Sequence, residues 1–276
     1  PPRWQSRSGM PTHAVAGFAS FLADLLLAEP AGDFFVAFDE SLGSGWRHRI
    51  HPGYKKRRAL PDAELAFQLD ACREITRRLG LRETASNEFE ADDLLASAAA
   101  HARAAGNHCT VMSRDKDLGQ LLAGPDDRLR ESPAAACVDR AGWSALHGIR
   151  PEQLPARLAL TGDPVDDIPG VPGVGGKTAV WLLGMHDDVE EILADLPGVA
   201  ASGYRGAARV AENLAMHADG LRLARRLTGL RADALPEPPR VSRETADPAA
   251  LADYCAELGF AERQRARLLR ALASAA

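Results

Sequence analysis

Acidic residues recur in short clusters that lie far apart along the chain. They are Asp39, then Glu90, Asp92 and Asp93, then Asp115 and Asp117, and finally Asp163, Asp166 and Asp167. Carboxylates packed together repel one another, which raises the free energy of the ionised form unless cations lie between them. Mg²⁺ or Mn²⁺ supplies that charge and can hold both the attacking water and the leaving oxygen of a phosphodiester. The clusters therefore predict a divalent-metal site that acts on phosphate esters.

Short apolar runs typical of strands alternate along the chain with segments of helical periodicity, and this order indicates how the distant acidic clusters meet. Strands are predicted over 34–38, 81–85 and 108–112, and helices over 12–28, 62–78 and 91–105. This alternation favours an α/β fold with a parallel sheet, whose site lies at the carboxyl ends of its strands. Asp39, Glu90 and Asp115 each stand beside such an end. Helix amino ends favour acidic residues in any case, which explains one cluster easily but not all of them.

The pattern changes beyond Gly148 to short helices separated by Pro and Gly. They are predicted over 152–160, 176–183, 188–196, 205–226, 250–258 and 261–273. We interpret this half as a helical region packed beside the sheet, with a Pro-rich loop over Leu235–Arg240. The expected domains are therefore 1–148 and 149–276.

The Gly-rich segment Gly170–Ala179 invites a phosphate-loop interpretation. That motif needs a Gly six positions before Lys177, where Val171 stands, and no strand precedes the loop. A Gly-rich turn between two short helices instead offers backbone amides and carbonyls to a nucleic-acid strand. A plain tight turn between helices is the alternative.

A basic run stands out in a chain of net charge −5, so any phosphate binding must come from local patches. It comprises Arg47, His48, Arg49, His51, Lys55, Lys56, Arg57 and Arg58. Such runs usually form a solvated surface. This one follows Asp39 closely, with Trp46 and Tyr54 interleaved as stacking surfaces, which favours phosphate binding.

Composition narrows the class of protein. The 276 residues, 46% hydrophobic and 26% charged, suit a soluble globular chain with one large domain or a domain and a helical appendage. The 4 scattered cysteines form no zinc pattern, which favours a reducing, cytoplasmic setting. We expect neither a membrane span nor a signal peptide. Because the chain begins with Pro1, we expect its natural amino terminus to lie upstream.

Taken in order, several motifs closely resemble the 5′-nuclease domain of bacterial DNA polymerase I. They are Phe38-Asp39, Gly53-Tyr54-Lys55-Lys56-Arg57-Arg58, Glu90-Ala91-Asp92-Asp93, Ser113-Arg114-Asp115-Lys116-Asp117, and Thr161-Gly162-Asp163 through Gly176-Lys177-Thr178-Ala179. Without a polymerase region, the chain is most similar to the stand-alone bacterial 5′→3′ exonucleases. The resemblance implies a PIN-like α/β core, a helical arch after Asp39, and a helix-three-turn-helix element around Gly173–Lys177.

The resemblance also implies roles for individual residues. Two divalent ions would be held by Asp39, Glu90, Asp92 and Asp93 and by Asp115, Asp117, Asp163 and Asp166, with the division between the two sites left open. Tyr54, Lys55 and Arg58 match residues that grip the scissile phosphate. DNA contacts are expected from Arg57, Gly173, Gly175, Gly176, Lys177 and Thr178, with K⁺ at the Gly-rich turn.

Two departures from the family pattern stand out. Family members open with a strand that ends in a metal-binding Asp, followed by a helix with a functional Arg, and nothing before Pro11 fits, Arg3 included. We therefore expect the chain to lack that strand and to be poorly stable and weakly active by itself. Asp167 stands where the family usually has Asn, and its carboxylate either shifts metal affinity or faces solvent.

The implied function is hydrolysis of DNA near a 5′ end or at a 5′ flap, in replication or repair, by a monomer that works beside a DNA polymerase. Three alternatives stay open. A PIN-type ribonuclease would lack the Gly-Pro turn and the basic arch, and a non-catalytic DNA-structure-binding protein would bind without cutting. A phosphatase with Asp39 as nucleophile is disfavoured, because Ser41 stands where a second Asp is needed.

Overall fold

The computed structural model describes residues 4–41 and 43–274, so Pro1 and Arg3 lie outside the described residues. Its strands are β1 (Val36–Asp39), β2 (Glu83–Ser86), β3 (Thr110–Met112), β4 (Arg128–Arg130) and β5 (Val138–Asp139). Its helices are α1 (His13–Ala28), α2 (Trp46–Ile50), α3 (Ala63–Arg78), α4 (Ala91–Ala104), α5 (Arg140–His147), α6 (Leu154–Thr161), α7 (Gly176–Met185), α8 (Val189–Ala194), α9 (Leu196–Ala201), α10 (Ala207–Met216), α11 (Ala218–Thr228), α12 (Pro248–Glu257) and α13 (Glu262–Ala273). Short 3₁₀ helices cover Lys116–Leu121 and Pro151–Gln153.

The strands form two small sheets within the described residues, where the sequence predicted one parallel sheet. β1 pairs in parallel with β2, and β3 pairs in parallel with β4. β5 returns antiparallel to β4 after a short connection, as such connections require. Helix α4 packs against β1 and β2, while its Ala96 joins Val111 and Leu118 in a small apolar cluster. Side-chain packing on α4 therefore relates the two sheets.

Local signals account for most helices. The helices predicted over 12–28, 62–78 and 91–105 are confirmed as α1, α3 and α4, and Asp62 caps α3 by accepting a hydrogen bond from Leu65 N at 2.8 Å. The helix predicted over 205–226 breaks at His217 into α10 and α11. Among the described residues of the segment expected to form a helical arch, the only helix is the short α2, which turns follow.

Two large apolar cores stabilise the part of the chain that the structure describes. In the first, Leu22 and Ile75 of α1 and α3 pack with Leu251 and Leu268 of α12 and α13, so the last two helices share a core with the first half of the chain. The second core fills the helical region and also includes Tyr54 from the basic run. No helix among the described residues is long and apolar enough to cross a membrane.

Candidate active site

A polar cleft of about 600 Å³ lies where the two sheets, the basic run and the helical region meet. Its walls carry every predicted metal ligand except Asp93, together with Tyr54, Lys55 and Arg58. The ligands brought together are Asp39, Glu90, Asp92, Asp115, Asp117, Asp163 and Asp166. Residues more than 120 positions apart in the sequence thus face one cavity.

The end of a strand and the starts of two helices orient these carboxylates. Asp39 ends β1, and its Oδ1 accepts a hydrogen bond at 2.7 Å from Ala91 N, the first residue of α4. Glu90 is the N-cap of α4, and Asp115 caps the 3₁₀ helix that follows β3 by accepting from Asp117 N at 2.8 Å. These are the positions that the strand order predicted for acidic groups.

Asp163 and Asp166 lie in a tight loop that closes on itself through backbone bonds between Asp163 and Ile168. Gly162 begins the loop with a positive φ of 79°. A Cβ at Gly170 would collide with the backbone of Thr161, so both flanks of the loop require glycine. We call residues 162–168 the acidic loop.

Burial and the charges of neighbouring carboxylates raise the pKa values of Asp92, Asp117 and Asp166 in the cleft. Burial, and then the charges of Asp115, Asp39 and Glu90, raise the pKa of Asp92 to about 7. Burial, followed by the charge of Asp115, raises the pKa of Asp117 to about 6. The ionised forms of Asp92 and Asp117 are therefore destabilised in the cleft, as expected for carboxylates that bind cations.

The oxygen donors fit a hard divalent cation by their chemistry. Within the described residues, however, no group of three or more acidic, His or Cys side chains forms a ready-made ion site. Glu90 is already engaged, because its Oε1 lies 2.8 Å from Lys55 Nζ and its Oε2 accepts bonds from Tyr54 Oη at 3.1 Å and from Arg47. The ligand set is assembled, while its charges are partly neutralised by the chain's own cations.

Tyr54 and Lys55 project from residues 53–58, which we call the basic segment, into the carboxylates. Tyr54 is 2% exposed, and its Oη lies 3.1 Å from Asp166 Oδ2 as well as from Glu90. Burial and then the charge of Glu90 raise the pKa of Tyr54, so the phenol stays a protonated donor. Lys55 Nζ lies 3.7 Å from Asp166 Oδ2, and Arg58 lines the cleft with an exposed side chain.

Arg57 does not face the cleft. Its guanidinium forms an ion pair with Asp167 and donates to the carbonyl of Pro164 at 2.9 Å. The backbone and side-chain hydrogen bonds from Arg57 lower the pKa of Asp167. The Asp167 carboxylate therefore pairs with Arg57 and is only 16% exposed, while its effect on metal affinity stays a prediction.

The expected metal role of Asp93 is corrected by the structure. Asp93 is fully buried, and its Oδ atoms accept hydrogen bonds from Arg47, Trp46 Nε1, Arg231 N and Glu90 N. Arg47 Nη1 and Nη2 donate to the two carboxylate oxygens of Asp93 at 2.6 and 2.9 Å. The Arg47 guanidinium also donates to the carbonyls of Leu227 and Gly229. Asp93 therefore stabilises the packing behind the cleft. It points away from the cleft that Asp92 lines, because successive residues of a helix point about 100° apart.

Sequence reasoning missed the role of Arg47. It grouped this residue with the surface run, whereas the side chain is buried beneath the cleft and stacks over Trp46 at 4.5 Å. Hydrogen bonding and charge from Asp93 outweigh the cost of burial, so the pKa of Arg47 is raised. The adjacent Trp46 was the one local signal, since a guanidinium over an indole ring is a favourable contact.

The predicted DNA-binding turn lies apart from the cleft residues, at the start of α7. Gly173, Gly175, Gly176 and Lys177 are exposed, and Thr178 is half-buried. Gly173 has a φ of 80°, and Asn213 Nδ2 holds the turn by donating to the carbonyl of Pro172 at 2.8 Å. Gly175 caps α7 without a side chain, so the first amides of this helix face outward.

Comparison with known proteins agrees with this architecture. Residues 1–139 match the model of the 5′-3′ exonuclease N-terminal resolvase-like domain, and residues 149–247 match that of the 5′-3′ exonuclease C-terminal SAM fold. The chain belongs to the 5′-3′ exonuclease family. This result confirms the resemblance inferred from the motifs and the PIN-like fold with a helical region.

Individual relatives extend this assignment. DNA polymerase I of Rhizobium leguminosarum is 33% identical over 240 residues, which are 84% of this chain and 23% of that protein. The chain therefore spans about a quarter of the length of such curated relatives. A T5 5′-exonuclease structure with bound zinc superposes with a TM-score of 0.65 at 20% identity, covering 94% of this chain and 90% of that one. At that identity the likeness establishes the fold.

Proposed function

We propose that this member of the 5′-3′ exonuclease family hydrolyses DNA phosphodiester bonds near a 5′ end or at the base of a 5′ flap, and that the reaction depends on Mg²⁺ or Mn²⁺. The observation that carries the proposal is the cleft itself. Carboxylates from β1, α4, the Asp115 turn and the acidic loop line one cavity, with Tyr54 and Lys55 bonded to them. A hydrolase for anionic phosphate esters needs this combination of cation ligands and fixed positive charge.

Metal dependence is further supported by solved structures of similar fold, since T5 5′-exonuclease has been solved with zinc, and T5 D15 flap endonuclease with DNA and metal ions. In this chain, Asp39, Glu90, Asp92, Asp115, Asp117, Asp163 and Asp166 would hold two such ions. When bound, the ions supply positive charge that favours ionisation of water and stabilises the leaving oxygen.

The chain's own side chains contribute binding and charge. The Lys55 ammonium lies among the carboxylates, where it would meet the non-bridging oxygens of the scissile phosphate and stabilise charge that develops on them. Arg58 would add a second cation from the exposed wall of the cleft. Tyr54, kept protonated, would orient Glu90 and Asp166 as a hydrogen-bond donor.

DNA binding away from the cleft is assigned to the Gly-rich turn. The exposed amides and carbonyls of Gly173, Gly175 and Gly176, with Lys177 and Thr178, would contact phosphates of the duplex without reading sequence, and K⁺ would bind at the turn. We therefore assign the catalytic core to residues 1–148, completed by Asp163 and Asp166 of the acidic loop, and duplex binding to residues 149–276. We further propose that the protein acts as a cytoplasmic monomer beside a DNA polymerase in replication or repair, a setting that its free cysteines support.

The test is cleavage of a 5′-labelled flap duplex with Mg²⁺ and with excess chelator. We expect Mg²⁺-dependent product, none in chelator, and loss of turnover in Asp92→Asn with flap binding largely retained. A matched RNA flap is the control for a PIN-type ribonuclease, and preferential cleavage of RNA would replace the proposal with that activity. Tight flap binding without any cleavage by the wild-type chain would instead identify a non-catalytic DNA-structure-binding protein.

A further inference from the structure

The basic segment and the acidic loop are joined by a contact that the cleft chemistry does not itself require. We propose that Arg57 and Asp167 are positioning residues, which hold the Lys55 ammonium among the carboxylates by fastening the basic segment to the acidic loop. We call this contact the Arg57–Asp167 latch. The inference rests on the proposed function, because it concerns how Lys55 is presented to the scissile phosphate.

Several hydrogen bonds join the basic segment to the acidic loop at and beside the latch. Arg57 N donates to Asp167 Oδ2 at 3.1 Å, and Arg57 Nε donates to Asp167 Oδ1. Arg57 Nη2 donates to the carbonyl of Pro164 at 2.9 Å, so one side chain spans the loop. Beside them, Lys55 N donates to the carbonyl of Asp166 at 3.0 Å. An isolated surface ion pair contributes little, but here the carboxylate also accepts a backbone amide and the guanidinium also binds a carbonyl.

Backbone conformation points to the same contact. Among the residues described, Lys55 and Asp167 are the only ones other than glycine with positive φ, at 49° and 57°. Such conformations persist where the surrounding structure over-determines them, and they concentrate at functional sites. Both strained residues lie at the latch, one on each side. Because Lys55 lies two residues from Arg57 and its own amide bonds to Asp166, the hydrogen bonds between the two segments can offset the cost of this conformation at Lys55.

Fixing the backbone at Lys55 determines where its ammonium lies. The Lys55 side chain is 13% exposed, with Nζ 2.8 Å from Glu90 Oε1 and 3.7 Å from Asp166 Oδ2. A lysine on a free loop would sample many rotamers, and a small misplacement of a charge in a catalytic site lowers the rate steeply. The latch therefore acts on the rate through Lys55, because the acidic loop that carries Asp163 and Asp166 is also closed by its own backbone bonds between Asp163 and Ile168.

The sequence suggested a different role for Arg57, namely direct contact with DNA phosphates, and its side chain is 74% exposed. The two roles predict opposite effects of removing charge from Asp167. If Arg57 binds phosphate directly, then Asp167→Asn releases a competitor and strengthens flap binding. If Arg57 works through the latch, the same change loosens the basic segment and slows cleavage.

The experiment compares Asp167→Asn and Asp167→Gly with Glu190→Ala. Glycine removes the acceptor but relieves the positive φ, so a loss in that variant cannot come from backbone strain. Asparagine tolerates the conformation and keeps one oxygen for the Arg57 amide. Glu190→Ala is the control, because it deletes an exposed ion pair with Arg222 in the helical region.

Two measurements are made on the full chain. The first is limited trypsin digestion without DNA, with cleavage after Lys56 and Arg58 followed by mass spectrometry. The second is single-turnover cleavage of a 5′-flap duplex in Mg²⁺, with flap affinity measured separately in chelator. For Asp167→Gly we expect about tenfold faster digestion and about tenfold slower cleavage, with flap affinity changed less than about twofold. Asp167→Asn should lie between this variant and wild type, and Glu190→Ala should match wild type.

A double-variant comparison closes the test. Arg57→Ala should slow cleavage about as much as Asp167→Gly, and the two changes together should cost little more than either alone. Additive losses, unchanged digestion in Asp167→Gly, or tighter flap binding with undiminished cleavage in Asp167→Asn would each overturn the latch. If the wild-type chain itself does not cut DNA, the proposed nuclease function fails, and the digestion rates still decide whether the latch holds the basic segment.

Discussion

Asp92 and Asp93 are adjacent in sequence, yet neutralising them should change stability in opposite directions. We predict that Asp93→Asn destabilises the metal-free chain strongly, whereas Asp92→Asn stabilises it at pH 8. The reason is that Asp93 is the buried partner of Arg47, while Asp92 is one of several carboxylates that repel one another.

The magnitudes follow from burial and pairing. Asp93→Asn leaves the Arg47 guanidinium, 3% exposed, with the longer 3.3 Å contact to Glu90 as its remaining ion pair, and breaking a buried ion pair costs about 3–5 kcal/mol of the free energy of unfolding. With a shift of about 2–4 °C per kcal/mol for chains of about 150–250 residues, the melting temperature should fall by roughly 6–20 °C. The folded-state pKa of Asp92, about 7, lies above its unfolded value of 3.8, so ionisation penalises the folded state increasingly between those pH values. At pH 8 this penalty is fully present, and removing it should stabilise the chain by on the order of 1–4 kcal/mol.

The assay is thermal and urea denaturation followed by circular dichroism, at pH 8 in chelator and then with increasing Mg²⁺. Wild type and folded Asp93→Asn should both be stabilised by Mg²⁺, and Asp92→Asn much less. The reasoning is refuted if Asp93→Asn melts within about 2 °C of wild type. It is equally refuted if Asp93→Asn, and not Asp92→Asn, loses the stabilisation by Mg²⁺.

Further predictions concern the cleft and the Gly-rich turn. Because the pKa of Asp117 is raised to about 6, its ionisation should lower stability in chelator as pH rises from about 4 to 6, and Asp117→Asn should flatten that decline in urea midpoints. Lys55→Ala should slow single-turnover cleavage by about 10²-fold and Lys56→Ala by at most about threefold, in rapid-quench experiments at saturating enzyme. Equal losses would indicate generic electrostatics. Lys177→Ala should weaken flap binding and reduce its salt dependence by about one released counterion, as measured by fluorescence anisotropy across salt concentrations. An unchanged slope would exclude Lys177 from the phosphate contacts.

Local sequence patterns determined the positions of several helices and the convergence of the acidic residues. The periodicity over 12–28 and the cap at Asp62 predicted helices that the structure contains, because a helix depends on residues within a few positions of one another. Strand ends beside Asp39 and Asp115 likewise predicted that acidic groups would meet, since parallel strands present their carboxyl ends on one edge.

Only the tertiary structure decided which of these polar residues face the cleft. The partners of Arg47 include Asp93, 46 residues away, and the carbonyl of Leu227, 180 residues away. No local sequence pattern predicts either contact. The same holds for the contact between Arg57 and Asp167, 110 residues apart, which joined a basic residue expected on DNA to a carboxylate of uncertain role. The sequence does not distinguish a charged side chain that faces solvent from one that binds a cation or a buried partner. Its role depends on which distant groups share its low-dielectric surroundings, and packing alone determines that.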